Sequence, residues 1–173
     1  MKYKLAECAE IISGGTPKRT KKEYWNGNIP WITVKDFEGK FIEYTYEKIS
    51  KLGLENSSVN VTEDQDILIS ARGTVGKIAM VYQGCTFNQS IYGLRVHRDI
   101  IMPDYLYYWL ICHVSMIRQN THGSVFNTIT KETFSHLVIE VPSLEEQKKI
   151  VKKINPFDEK IALNNQINDN LAA

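Results

Sequence analysis

Hydrophobic and polar positions alternate over short distances through most of the first hundred residues. The runs WITV, KFIEYTY, DILISA, KIAMVY and IYGLRV are rich in Ile, Val, Tyr and Thr, and Gly, Asn or Asp clusters separate them. That pattern predicts strands. Ahead of them, YKLAECAEII carries Leu5, Ala9 and Ile12 at helical spacing, with Gly14-Gly15 placed to stop the helix. Further on, Pro103 opens DYLYYWLICHVSMIRQN, where Leu106, Leu110, Val114 and Ile117 mark one helical face. THGSVFN reads as a loop, ITKETFSHL as a short helical turn and LVIEV as a last buried strand. The expectation is an α+β fold: a mostly β body with short helices, followed by a long C-terminal helix.

The pattern changes at residue 143, which divides the chain into a body at 1–142 and a helical segment at 143–173. Ser143 stands three residues before Glu146, the capping box that announces a helix start. Beyond it Ile150, Ile154, Phe157, Ile161 and Leu171 keep a seven-residue seam, with Asn164 and Asn168 in two of its slots. About 28 helical residues would reach roughly 42 Å, more than a β body needs. A seam of this kind predicts coiled-coil pairing, and polar Asn within it selects register and partner number. The alternative is an amphipathic helix folded back on its own body. Asn155-Pro156 interrupts the run, because proline removes a donor and clashes with the preceding turn. A kink is expected there, or a second helix capped by Asn155 with Pro156 at its first position.

A length of 173 residues fits one domain, or a domain with an extension. No apolar window is long enough to span a membrane, and the N-terminus lacks the apolar run of a secretion signal. Cys8, Cys85 and Cys112 are scattered and odd in number, which suits buried thiols in a reducing cytoplasm. No metal site is expected, since there is no CxxC and the four histidines lack ligand spacing. Net charge is only +1. Its distribution matters more: TPKRTKK at 16–22 holds four cations and no acid, and 67–98 carries Arg72, Lys77, Arg95 and Arg98 without one Asp or Glu. Two cationic stretches could form one basic face, since a phosphate contact needs local charge; an ordinary solvated loop and strand would read the same.

Enzymatic motifs are weak. GTVGK is followed by Ile78, whereas a phosphate loop needs Ser or Thr after GxxxxGK. INPF echoes an adenine methyltransferase tetrapeptide but lies in the helix, with no glycine-rich cofactor loop. DFEGK sets Glu38 two residues before Lys40, half of a metal-dependent nuclease motif, and no acid stands convincingly on a preceding strand. No serine has an identifiable His and Asp partner.

Several ordered motifs together resemble one family. ISGGTPKRTKKEYWNGNIPWITVKDF is similar to the opening of a target recognition domain in specificity subunits of Type I restriction–modification systems, where GGTP precedes YW-x-G-x-IPW and an acid. DILISARGTVGKIAM looks like its central RGT-x-G motif and FNQSIYGL like its NQ segment. HGSVFNTITKETFSHLVIEVPSLEEQKKIVKKI is similar to its closing part, which leads into a long helix. The resemblance spans essentially the whole chain and has room for one recognition domain and one helix, so the chain looks like a half subunit or a fragment. It departs from the family at Asn155-Pro156.

The resemblance implies a non-catalytic, cofactor-free DNA-reading module of the cytoplasm. Its partners would be double-stranded DNA, methyltransferase subunits, a restriction subunit in some assemblies, and a second specificity half through the C-terminal helix. The candidate DNA contacts are Lys18, Arg19, Thr20, Lys21, Lys22, Lys35, Arg72, Thr74, Lys77, Asn88, Gln89, Ser90 and Ser124. Cations on the Gly/Pro-bounded loop suit phosphates. Arg72 and Lys77 flank glycines that admit close approach, and Asn88 and Gln89 match an adenine edge. Asn88-Gln89 could equally bridge strands within the fold, and Trp25 and Trp31 read as core anchors for the loop. The candidate pairing residues are Ile150, Ile154, Phe157, Ile161, Asn164, Asn168 and Leu171. The competing reading is a scaffold or decoy that docks methyltransferase subunits without reading DNA, and behind it a metal-dependent nuclease fragment.

Overall fold

A computed structural model describes residues 1–119 and 128–172. The expected loop THGSVFN, with Ser124, lies outside them. The centre is a four-stranded antiparallel sheet in the order β2 (Ala9–Ser13), β8 (Ile91–Val96), β5 (Ile67–Ser70), β6 (Ile78–Met80). Every residue of β5 is buried, because apolar layers cover both faces. Side chains alternate across a strand, so Ile67 and Ile69 join one layer while Leu68 joins the other. This is why DILISA reads as a continuous apolar run.

The first layer is helical. It contains α1 (Leu5–Cys8), α3 (Pro103–Gln119), α4 (Lys131–His136) and the ribbon of β1 (Lys2–Lys4) with β9 (Val138–Glu140). Leu106, Leu110 and Ile117 of α3 are fully buried, as their spacing predicts, and Val114 is half-buried against the same core. The second layer brings Ile32, Phe37, Ile42 and Phe87 onto the opposite face. Ile32 and Phe87 come from the small sheet β4 (Glu47–Ile49), β3 (Trp25–Ile32), β7 (Thr86–Phe87), beside which sits the short helix α2 (Lys51–Glu55), and Phe37 and Ile42 from the segment between β3 and β4.

Four sequence expectations change. YKLAECAEII is strand, single helical turn and strand, because β1 zips onto β9 and β2 onto β8; Leu5, Ala9 and Ile12 are buried all the same. Gly14 ends no helix. It lies so close to the next strand that a Cβ there would stand 2.0 Å from the Asn88 carbonyl oxygen. KFIEYTY forms no regular strand; Phe41 bridges Met80 and the chain re-enters a sheet only at β4. In LVIEV the strand β9 buries Ile139 between exposed Val138 and Glu140, as an outer ribbon would.

The last helix, α5, runs from Leu144 to Ala172 without a break, with Pro156 inside it. The second helix capped by Asn155 does not form. The capping box does: Ser143 Oγ accepts from Glu146 N (3.3 Å), and Ser143 N donates to Glu146 Oε2 (3.0 Å). One turn on, Gln147 is fully buried yet polar. Its amide donates to Ile100 O (3.0 Å) and Pro142 O (2.9 Å), and its carbonyl accepts from Met102 N (2.8 Å). Val151 and Ile154 then rest on the helical layer. From Glu159 onward every described side chain is exposed, so the far half of α5 projects as an arm.

Because three half-buried backbone groups depend on fully buried Gln147, Gln147→Leu should lower the body's stability by about 2–3 kcal/mol, the cost of leaving polar groups without partners. Chemical denaturation of the two proteins would read this directly. A loss below about 0.5 kcal/mol would mean that water replaces the amide.

Candidate nucleic-acid interface

Antiparallel order gathers the loops. The register sets Ser13 opposite Tyr92, Ser70 opposite Ile91 and Ile69 opposite Ile78. The ends of β2 and β5 and the starts of β8 and β6 therefore share one end of the central sheet. The segments emerging there are 14–24, 71–77 and 88–90, which hold most of the cations and amides singled out by sequence.

The turn 88–90 ties these segments together. Gly14 N donates to Ile91 O (3.3 Å) and Gly15 N to Phe87 O (2.9 Å). The Thr16 hydroxyl donates to Gln89 Oε1. On the other side Ala71 N donates to Ser90 O (2.7 Å), Asn88 N donates to Ile32 O (3.0 Å), and Asn88 Oδ1 accepts from Ser90 N (3.0 Å). Asn88 and Gln89 thus serve the bridging role that sequence left open beside base reading. The 71–77 loop then closes on Ser70, whose Oγ accepts from Lys77 N (2.8 Å). Gly73 and Gly76 take positive φ, +71° and +82°, conformations that favour glycine. Lys77 Nζ donates to Val34 O (3.5 Å), beside exposed Lys35. Here a 3-10 turn, Val34–Asp36, is pinned by buried Asp36, whose carboxylate accepts from Thr33 N (2.6 Å) and Tyr46 N (3.0 Å).

The loop 16–22 hangs between two tryptophans. Trp31 is buried and its Nε1 donates to Gly15 O (3.1 Å); half-buried Trp25 donates to Lys18 O (3.3 Å). Their rings meet edge to face at 5.0 Å. The anchoring role read from sequence is what the indoles perform. Arg19 lies over the Trp25 ring, 3.7 Å from its centroid, and reaches both oxygens of Glu47, with Nη2 to Oε2 at 2.9 Å. The hydrogen bond to Arg19 holds the Glu47 carboxyl below its ordinary pKa, against a smaller opposing effect of burial.

The four cations of this loop consequently divide. Arg19 braces the loop against Glu47, and Lys21 lies 3.6 Å from Glu23. Lys18 and Lys22 are exposed and, among the described residues, form no ion pair; the same holds for Arg72. Thr20, Thr74 and Gln89 are exposed, while Lys77, Asn88 and Ser90 are half-buried. The second cationic stretch divides as well. Arg95 sits at the opposite end of the sheet, where it binds buried Asp66 (2.8 Å) and Glu63 (3.0 Å), and Arg98 binds Gln65 (3.1 Å). These arginines line a polar cleft of about 270 Å³ with Glu10 and Asp64, away from the loop cluster.

On α5, Phe157, Ile161 and Leu171 are well exposed, as are Asn164 and Asn168, and Ile150 is exposed to 38%. Ile154 instead rests on the body. Sequence reasoning missed Glu47, for which no local pattern exists, and Gln147, which adjoins the capping glutamate and carries no periodic signal of its own.

The description "Type I restriction modification DNA specificity domain" matches residues 1–173. Among curated relatives, the specificity subunit of the Type I restriction enzyme MjaIX from Methanocaldococcus jannaschii is 30% identical over 163 residues, covering 91% of this chain and 38% of the relative. The specificity subunit of EcoR124I/EcoR124II from Escherichia coli is 31% identical over 175 residues, covering 96% and 42%. The chain thus spans about two fifths of the length of these relatives. Two solved structures share its fold. One is the HsdS subunit from Thermoanaerobacter tengcongensis, with a TM-score of 0.74 at 22% identity over 96% of this chain and 39% of that one. The other comes from work on complex assembly and conformational transition of the type I R-M system, with a TM-score of 0.75 at 23% identity over 99% and 41%.

A carboxylate with a depressed pKa stabilises above its unfolded value, near 4.5 for Glu47, and loses that contribution as pH falls through the folded value. At neutral pH the Arg19–Glu47 brace is therefore complete, and Glu47→Gln should weaken it. Trypsin cleavage within Lys18–Lys22 should rise by up to about fivefold, the span of an exposed ion pair of roughly 1 kcal/mol. An unchanged rate would show that the tryptophans alone hold the loop.

Proposed function

The chain belongs to the Type I restriction modification DNA specificity domain family, and from this we propose that it reads one half of a split DNA target for a methyltransferase complex. Residues 1–142 are the recognition domain and residues 143–173 the spacer that joins a second specificity half. The chain performs no chemistry itself and works in the cytoplasm beside methyltransferase subunits and, where present, a restriction subunit.

One observation supports this reading above the others: the 88–90 turn hydrogen-bonds both the 14–24 and the 71–77 segments at one end of the central sheet. Unpaired cations on joined loops give the local positive charge that backbone contacts require, although the whole chain is almost neutral. Lys18, Lys22 and Arg72 grip phosphates, and Arg19 works from behind by keeping the loop in shape. Lys35 and Lys77 extend the same margin. Phosphate contacts set register, and the exposed side chains between them read base edges. Gln89, tied to Thr16, is one of the side chains that hold the reading surface together.

The arm carries the second half of the function. Phe157, Ile161 and Leu171 leave apolar area in water, and covering it drives pairing. Asn164 and Asn168, in the same seam, fix which partner and which register are accepted. Two chains paired antiparallel present two recognition domains related by a two-fold axis, which calls for a symmetric split target. Binding by one domain alone is weak, and the pair gains from effective concentration.

The test is a titration of the assembled complex on its DNA motif, read first from methylation mapping in cells. Lys18→Ala and Lys22→Ala should each weaken binding and lower the slope of log K against log salt by about 0.9, one released counterion per phosphate. Arg19→Ala should weaken binding while leaving more of the slope intact. If all three variants bind as the parent does while methyltransferase subunits still dock, the chain is a scaffold, the reading that its near-neutral charge favours. Light scattering at tens of micromolar checks the arm, where a strict monomer without partner dependence rejects self-pairing.

A further inference from the structure

Where α5 leaves the body, one lysine joins three parts of the chain. Lys40 belongs to the segment stitched along the edge of β6: Met80 N donates to its carbonyl (2.7 Å), and Ile42 N donates to Met80 O (3.1 Å). Its ammonium is largely buried, with the side chain 15% exposed. It donates to Asp104 Oδ1 (2.6 Å) and the Tyr108 hydroxyl (3.0 Å) on α3, and to Asn155 Oδ1 (3.1 Å) on α5. Three acceptors saturate an ammonium's three donors. Asp158 lies 3.7 Å away, and the Tyr108 ring centroid 4.6 Å away. The Tyr108 hydroxyl, which accepts from Lys40, has one proton to give and two acceptors within reach, Asn155 Oδ1 (2.7 Å) and Asp158 Oδ2. Burial and then the Asp158 carboxylate push the pKa of the Tyr108 hydroxyl up, so the oxygen keeps that proton.

The grip coincides with a weak joint in the helix. Pro156 has no N–H, so the Lys152 carbonyl lacks its helical partner. Beyond Asp158 nothing else on α5 is buried among the described side chains. Whatever sets the direction of the arm must act here or upstream. The 14 residues from Glu159 to Ala172 make a lever of roughly 21 Å. A swing of about 10° at its base carries the tip about 4 Å, comparable with the roughly 3.4 Å that one base pair advances along the duplex axis.

We propose that Lys40 is a positioning residue that fixes the angle of the arm and thereby the number of base pairs between the two half-sites. The proposal rests on the DNA-specificity reading only for its second clause; the first concerns this chain alone. With Lys40 gone, Asp104 and Asp158 face one another across Tyr108 without a cation, and their repulsion loosens the joint.

Spin labels at Lys48→Cys and Asn170→Cys, in a Cys85→Ser, Cys112→Ser background diluted with unlabelled chain, report the angle as a distance distribution. Lys40→Met should broaden it by about 3 Å or more, the displacement of a 10° swing over 12 residues. Asp158→Ala, at a half-exposed carboxylate, should broaden it less, and it carries the test if Lys40→Met fails to fold. Unchanged widths in the folded variants overturn the proposal, whatever the DNA results. In cells with the methyltransferase subunits, Lys40→Met should spread methylation from one spacer length to neighbouring lengths. A single unaltered spacer overturns the second clause. No methylated motif with the parent chain overturns the DNA-specificity reading, and the distance measurement still decides the role of Lys40.

Discussion

The whole arrangement depends on a close approach of two backbones, Gly14 to the Asn88 carbonyl, where any side chain would collide. At this point the end of β2 and the start of β8 come together tightly enough for Gly14 and Gly15 to donate into Ile91 and Phe87. The contact delivers Thr16 to Gln89, and through Ser90 it reaches Ala71 and the glycine-bent loop that follows. Loops placed this way inherit their positions from the sheet rather than from their own sequences. Function-bearing side chains on loops held by a rigid scaffold are how proteins vary a binding surface without varying a fold. A side chain at residue 14 would push the first cationic loop away from the second, and the shared face would be lost.

The charges around this scaffold sort by role. Total charge is near neutral because 21 basic residues face 20 acidic ones, and two of the conspicuous cations are paired with acids from residues 47–66: Arg19 with Glu47, and Arg95 with Asp66 and Glu63. Those pairs differ in strength. Asp66 is buried, and removing its arginine would strand a carboxylate in a low-dielectric site. Glu47 is exposed enough for its pair to contribute little free energy, so its value is geometric, holding a guanidinium flat on Trp25. Of the cations singled out by sequence, Lys18, Lys22 and Arg72 form no ion pair among the described residues, and all three lie on loops at one end of the sheet. A net charge computed over the chain conceals this, because it averages structural arginines with free lysines.

Much of the fold was legible. Strands β5, β6 and β8 and helix α3 fall where their apolar runs lie, and the Ser143–Glu146 box starts α5 where sequence puts it. What escaped shares one cause, pairing between distant segments. The first ten residues carry a helical period, yet β1 and β2 each find a partner strand far along the chain, β9 and β8. Residues 40–46 look like a strand but serve as an edge cover. Of the candidate site, the tryptophan anchors were readable, because two indoles at the ends of a Gly/Pro-bounded loop have its backbone within reach, as Trp25 and Trp31 do. Glu47 and Lys40 were not, since a salt bridge between residues 28 or more apart leaves no local trace. Lys40 was noticed only as half of a nuclease motif, a reading that its burial among Asp104, Tyr108 and Asn155 makes poor.

Pro156 shows why local rules alone mislead in the arm. On its own the residue argues for a break, at a cost of about 3 kcal/mol in a helix interior. The helix nevertheless continues, because tertiary contacts grip both sides of it: Val151 and Ile154 on the core before it, Asn155 and Asp158 in the Lys40 cluster around it. A uniform helix would be stiff by itself and would need no grip at this point. A helix weakened where it leaves the body transfers control of its direction to the residues that hold it, and those residues belong to the body and to α3. The proline that locally argues against a straight helix thus makes the body, rather than the helix, the part that decides where the arm points.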